Sequence, residues 1–234
     1  VSFSQVSIRY MSDAHPALLG VSFSVSHGEV LAIAGHDGAG KSSILKLILG
    51  LYRPQAGRIT LDHTNLRQMD PISLRRSIGY APQTPQFFYG TIAQNLRLTN
   101  PLAPDGEVRD ACLRAGVLNA IDALPDGLDT RIGDYQLKKM PLSFLKKLSL
   151  ARTLIRPAPL LLLDEVMERP EFEDREIMLD MFEELRGRTT IIMVTNHGPY
   201  LKEADKVLWM EKGRVRMFGP AEVILQHLPQ EYQC

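Results

Sequence analysis

Gly35-His36-Asp37-Gly38-Ala39-Gly40-Lys41-Ser42 fits the pattern G-x-x-x-x-G-K-[ST], and its flanks give it the context it needs. An apolar run over 29–34 predicts a strand, and a helical pattern over 43–49, opening with Ser43, predicts a helix. A strand that ends in a glycine-rich loop and restarts as a helix turns backbone N–H groups and the positive end of the helix dipole toward one point. That point suits the polyphosphate of a nucleotide. Lys41 supplies a point charge for the β- and γ-phosphates, and the Ser42 hydroxyl is an oxygen ligand for Mg²⁺. Gly35, Gly38 and Gly40 permit backbone angles and close approach that a Cβ would block; Ala39 and Ser43 belong to the same cofactor-binding stretch, and within it His36 and Asp37 fall at variable positions and read as spacers.

The second half of the site is expected far downstream. Leu160-Leu161-Leu162-Leu163 runs without a break into Asp164-Glu165. Such a run reads as a strand of a parallel sheet buried on both faces, with its chemistry at the carboxyl end. Asp164 is the expected Mg²⁺ holder through water, and Glu165 the group that orients or deprotonates the attacking water.

The interval between Lys41 and Asp164 is too long for a small phosphate-loop kinase or GTPase, and over essentially its whole length the chain resembles the nucleotide-binding domain of an ABC transporter of the exporter type. Residues 69–83 (Met69-Asp70-Pro71-Ile72-Ser73-Leu74-Arg75-Arg76-Ser77-Ile78-Gly79-Tyr80-Ala81-Pro82-Gln83) are similar to the approach to that family's Q-loop, and 87–96 (Phe87-Phe88-Tyr89-Gly90-Thr91-Ile92-Ala93-Gln94-Asn95-Leu96) to the run that follows it in exporters. The resemblance implies that Gln83 reaches Mg²⁺ and the attacking water, that its loop meets a transmembrane domain, and that Tyr10 stacks on adenine through a flat π face. It also implies an α/β fold: a phosphate-loop NTPase (RecA-like) core over 1–90 and 157–234, with an antiparallel β subdomain and an inserted helical subdomain over 91–156.

Three of the family's motifs are altered. The signature Leu-Ser-Gly-Gly-Gln is replaced, counting back from Arg152 without a gap, by Met140-Pro141-Leu142-Ser143-Phe144; matching Leu142-Ser143 to Leu-Ser instead places Phe144-Leu145 over the glycines. Neither register contains glycine, and Pro141 has neither hydroxyl nor N–H. After Glu165 the family's Ser-Ala-Leu-Asp gives way to Val166-Met167-Glu168-Arg169-Pro170-Glu171, which rewrites a contact with the partner subunit. The switch histidine position is taken by Asn196, with His197 one residue later as an alternative. An asparagine amide hydrogen-bonds a phosphate oxygen but shuttles no proton.

Composition sets the bounds. With 234 residues, 44% hydrophobic, the chain can bury the core of one domain, and a formal net charge of zero argues against nucleic acid as a partner. Lys138, Lys139, Lys146 and Lys147 read as a solvated face, with phosphates or an acidic lipid surface as other takers. No apolar run nears the length that spans a bilayer, and no signal peptide opens the chain. Two cysteines, Cys112 and Cys234, lack metal-ligand spacing and fit a reducing compartment. A start at Val1 in a strand-like run suggests a domain cut from a longer chain.

The resulting expectation is an ATP- and Mg²⁺-dependent ATPase domain on the cytoplasmic face of the plasma membrane. It is expected to pair with a fused transmembrane domain and with a second ABC domain, identical or different, with a lean toward bacterial protein or peptide secretion. The altered motifs favour an asymmetric heterodimer and low activity of the isolated domain. The competing readings are a non-hydrolytic regulatory ATP-binding subunit and a non-transport ABC ATPase.

Overall fold

The computed structural model describes residues 1–11, 15–133, 137, 139–167 and 171–232. In chain order its strands are β1 (Ser2–Ile8), β2 (Leu18–Ser24), β3 (Val30–Gly35), β4 (Ala56–Leu61), β5 (Thr64–Asn65), β6 (Ile78–Ala81), β7 (Gly90–Thr91), β8 (Arg131–Ile132), β9 (Leu160–Asp164), β10 (Thr190–Val194), β11 (Lys206–Glu211) and β12 (Arg214–Pro220). The chain divides into two compact units. The first comprises Val1–Ile78, Ala158–Asp164 and Phe182–Cys234; the second comprises Gly79–Pro157 and Glu165–Met181.

In the first unit the strands β12-β11-β3-β10-β9 lie side by side in one sheet. β10 pairs in parallel with β3 on one side and β9 on the other, and β11 pairs in parallel with β3. Every residue of β3, β9 and β10 is buried, which explains why these strands are unbroken apolar runs rather than alternating ones. Each fully buried leucine contributes about 1.5–3 kcal/mol. β9 and β10 are in register from Thr190↔Leu160 to Val194↔Asp164, so the carboxyl ends of both finish at one level.

The second sheet of this unit is antiparallel, in the order β2-β1-β4-β5. Here burial alternates, as in β2 with Leu18, Val21 and Phe23 inward, the period of a sheet with one wet face. Phe23 stacks on Phe3 at 4.6 Å and meets Phe218 of β12 edge-on at 6.1 Å, joining the two sheets. A hairpin at Lys212-Gly213 joins β11 to β12, with both residues at positive φ, 47° and 74°, as a two-residue type I′ turn requires. The Gly213 N–H donates to Ala39 O at 3.0 Å, and Gly213 O accepts from Leu19 N at 2.8 Å.

The second unit is mainly helical. Its helices are Ile92–Leu96, Asp105–Arg114, Leu118–Asp122 and Leu142–Leu154, together with most of Phe172–Leu185. Thr91 and Gln94 form a capping box at the first of them. Val108, Cys112, Ile121, Leu148 and Leu150 are buried. Burial pushes the Cys112 thiol up to about 12. This unit starts at Gly79 and takes in 165–181. It also holds the short antiparallel pair β7-β8, which has too few residues to show a strand period.

Candidate functional site

β3 ends at Gly35, and the helix Lys41–Ile48 has Gly40 as its N-cap, with φ 98°. A Cβ at Gly40 would lie 2.3 Å from Ala17 O, so only glycine fits. No side chain caps this helix, and a helix N-terminus is the end that suits an anion. At Gly38, φ 75°, a Cβ would meet nothing within 4 Å: the loop is an open cradle. Ala39 and Ser43 are buried beneath it.

Lys41 is 5% exposed, and its Nζ donates to Gly35 O at 2.7 Å and His36 O at 3.2 Å. Asp37 is exposed, with its carboxylate 3.9 Å from the same ammonium. The cation is therefore held inside the loop it would lend to a phosphate. His36 is more than a spacer: its ring sits edge-on to Trp209 of β11 at 5.8 Å and to Tyr232 at 6.4 Å.

The hydroxyl of Ser42 donates to Asp164 Oδ1 at 2.9 Å. Residues 122 apart are brought together because β3 and β9 flank β10 and all three strands end on the same side. A hydroxyl and a carboxylate oxygen on one side of a phosphate cradle are hard donors, the set that suits Mg²⁺ completed by phosphate and water oxygens. Among the described residues no cluster of three or more His, Cys, Asp or Glu forms a cage for a metal by itself.

Asn196 follows β10 and its Oδ1 accepts the Gly35 N–H at 3.1 Å. This ties Asn196, the residue expected at the switch position, to the first residue of the glycine-rich loop. His197 is turned toward its own helix, Gly198–Glu203: its N–H donates to Thr195 Oγ1 at 3.0 Å and its ring meets Tyr200 at 4.7 Å. Tyr10 is 42% exposed and stands edge-on against Tyr52 at 4.7 Å. The sequence reading missed Tyr52, since a lone aromatic outside any motif carries no signal of a ring partner 42 positions away.

In the second unit Glu165 is buried and has φ 49°, a left-handed conformation costly for a residue with a Cβ. Gln83 Nε2 donates to Glu165 Oε2, and Lys146 Nζ donates to Glu165 O at 2.7 Å. The expectation of a solvated lysine face fails for Lys146 and Lys147. The first is spent on the Glu165 carbonyl, and the second pairs with Asp174, both partners being under 20% exposed. Lys138 lies outside the described residues. In the altered signature, Pro141 precedes the helix Leu142–Leu154 with no side-chain cap, Leu142 is 60% exposed, Ser143 is exposed, and Met140 and Phe144 are half-buried. Val166 is buried; Glu168, Arg169 and Pro170 lie outside the described residues.

The comparisons agree with this geometry. Residues 18–168 match the model of the family described as ABC transporter. The chain is 33% identical over 228 residues to P-glycoprotein 14 of Caenorhabditis elegans, covering 97% of this chain and 17% of that protein. It is 34% identical over 226 residues to the mycobactin import ATP-binding/permease protein IrtB of Mycobacterium bovis, covering 96% and 39%. Among solved structures it superposes on a bacterial Atm1-family ABC exporter with ATP bound at a TM-score of 0.91 and 30% identity, covering 98% of this chain and 40% of that one. The chain thus spans well under half the length of these relatives. Among the described residues no helix is long and apolar enough to cross a membrane. ATP-binding domains of ABC exporters are ATPases, and the glycine-rich loop 35–42 stands here in the same α/β fold. The chain belongs to the ABC transporter family, as its nucleotide-binding domain.

Proposed function

We propose that this domain binds Mg²⁺–ATP and powers export through a transmembrane domain, as one half of an asymmetric pair with a second ABC domain. The observation that carries the asymmetry is the contrast between two surfaces. The phosphate loop, Asp164 and Glu165 are intact, whereas the helix that would cover a partner's γ-phosphate starts at Pro141-Leu142 with neither glycine nor cap.

In this reading Lys41 leaves its carbonyl partners for the β- and γ-phosphates, Ser42 and Asp164 hold Mg²⁺, and Tyr10 stacks on adenine. Bound Mg²⁺ would neutralise charge on the phosphates. Glu165 orients the attacking water, with Gln83 as the hydrogen-bond partner of its carboxylate. Asn196 contacts the γ-phosphate from its seat on Gly35. A partner's intact signature completes this site. The site covered by 140–144 binds ATP and turns it over little, because a helix start with a proline and a leucine offers few donors to an anion. The exposure of Phe88 and Tyr89, 66% and 80%, supports reading them as the surface offered to the transmembrane domain, with this domain on the cytoplasmic side of the membrane.

The test is ATP turnover by the purified domain, alone and mixed with an ABC domain that carries an intact signature. Turnover in the mixture only, abolished by Glu165→Gln, is the expected result. Brisk turnover by this domain alone would overturn the asymmetric reading.

A further inference from the structure

Glu165 cannot take its working position by its own preferences. Its φ of 49° is a conformation that a glutamate enters at a cost of order 1–3 kcal/mol, so its neighbours must hold it there. Two of them do so in the second unit. Gln83 takes the carboxylate, and Lys146 places an ammonium on the backbone carbonyl at 2.7 Å in a half-buried setting. A charge-assisted bond to the carbonyl fixes the peptide plane after Glu165, and hence the direction from which the side chain leaves the backbone. The next residue of the same helix, Lys147, pairs with Asp174. Two consecutive lysines thereby secure both ends of the stretch from Glu165 to Asp174.

We propose that Lys146 is a positioning residue for hydrolysis: through the carbonyl of Glu165 it holds the left-handed turn that aims the carboxylate, and it makes the helix Leu142–Leu154 the element that sets that aim. The proposal rests on the reading of Glu165 as the residue that orients water. Methionine at 146 keeps the length of the stem and loses the cation; arginine keeps a donor cation.

The experiment uses the full transporter with Lys146→Met, Lys146→Arg and Glu165→Gln, following kcat and KM for ATP together with amide hydrogen exchange over 165–167. Lys146→Met is expected to lower kcat roughly ten- to a hundredfold, the scale of a displaced reacting group, with KM within about twofold. It is also expected to speed exchange at 165–167, and Lys146→Arg to restore both. Unchanged exchange at 165–167 in Lys146→Met overturns the proposal, as does unchanged kcat where Glu165→Gln abolishes turnover. Exchange that accelerates throughout the second unit overturns it too, since the lysine would then be a general support. If Glu165→Gln leaves turnover intact, the reading of Glu165 falls separately, and exchange at 165–167 alone decides whether Lys146 holds the turn.

Discussion

Ser42 and Asp164 share a hydrogen bond of 2.9 Å between the first turn of the helix Lys41–Ile48 and the last residue of β9. A hydroxyl that donates to a carboxylate still has lone pairs with which to face a cation. Asp164→Asn preserves shape and removes charge. It should abolish most of the gain in ATP affinity that Mg²⁺ provides, about tenfold, while leaving binding in chelator nearly unchanged. Titration of a fluorescent ATP analogue with and without Mg²⁺ reads this directly, and an unaltered Mg²⁺ effect would count against the assignment.

Lys41 satisfies two loop carbonyls when no phosphate is in reach. Lys41→Met should therefore weaken ATP binding by about ten- to a hundredfold and also destabilise the domain by about 1–3 kcal/mol, because both carbonyls lose a charged donor. Calorimetric titration and urea unfolding of the same variant separate the two effects.

Leu162 is fully buried in the centre of β9. Leu162→Ala should cost about 2–5 kcal/mol through lost burial and an unfilled cavity, seen as a lower urea midpoint. A cost below about 1 kcal/mol would mean that the sheet closes over the gap.

Acid should weaken the tie between β11 and the start of β3. Burial alone would raise the Glu29 carboxyl, but its hydrogen bond and charge pairing with Lys206 at 2.7 Å and the Ser26 N–H at 2.8 Å outweigh this. They hold it below its ordinary 4.5. A carboxyl depressed on folding stabilises above its unfolded value and loses that contribution as pH falls through the lower folded value. Unfolding midpoints should show up to about 1 kcal/mol from this pair at pH 7, fading below pH 4.5, and Glu29→Gln should remove that part of the pH dependence.

The Cys112 thiol, buried and pushed up to about 12, should react with maleimide only after unfolding. Peptide mass mapping after a short exposure at pH 8 should find residue 112 unlabelled in native protein and labelled in urea. Fast native labelling would show that the helix Asp105–Arg114 opens.

The core and the phosphate site were legible because each is written in contiguous residues: four leucines ahead of Asp164, and eight residues from Gly35 to Ser42. What sequence could not show is partnership across distance. Lys146 reads as one of a cluster of solvated charges, and only the fold reveals that its ammonium ends on a carbonyl 19 residues away. His36 reads as a spacer, since nothing local announces Trp209 and Tyr232. The pair β7-β8 joins two-residue strands 41 positions apart, below the length at which alternation carries information.

The turn at 212–213 is where an engineer would place an epitope tag or a fluorophore: a hairpin tip, polar, between two strands. Its backbone is occupied on both sides, by Ala39 of the phosphate loop and by Leu19 of β2. An insertion there would pull on the cradle itself, so a label at this tip would change the nucleotide affinity it was installed to report.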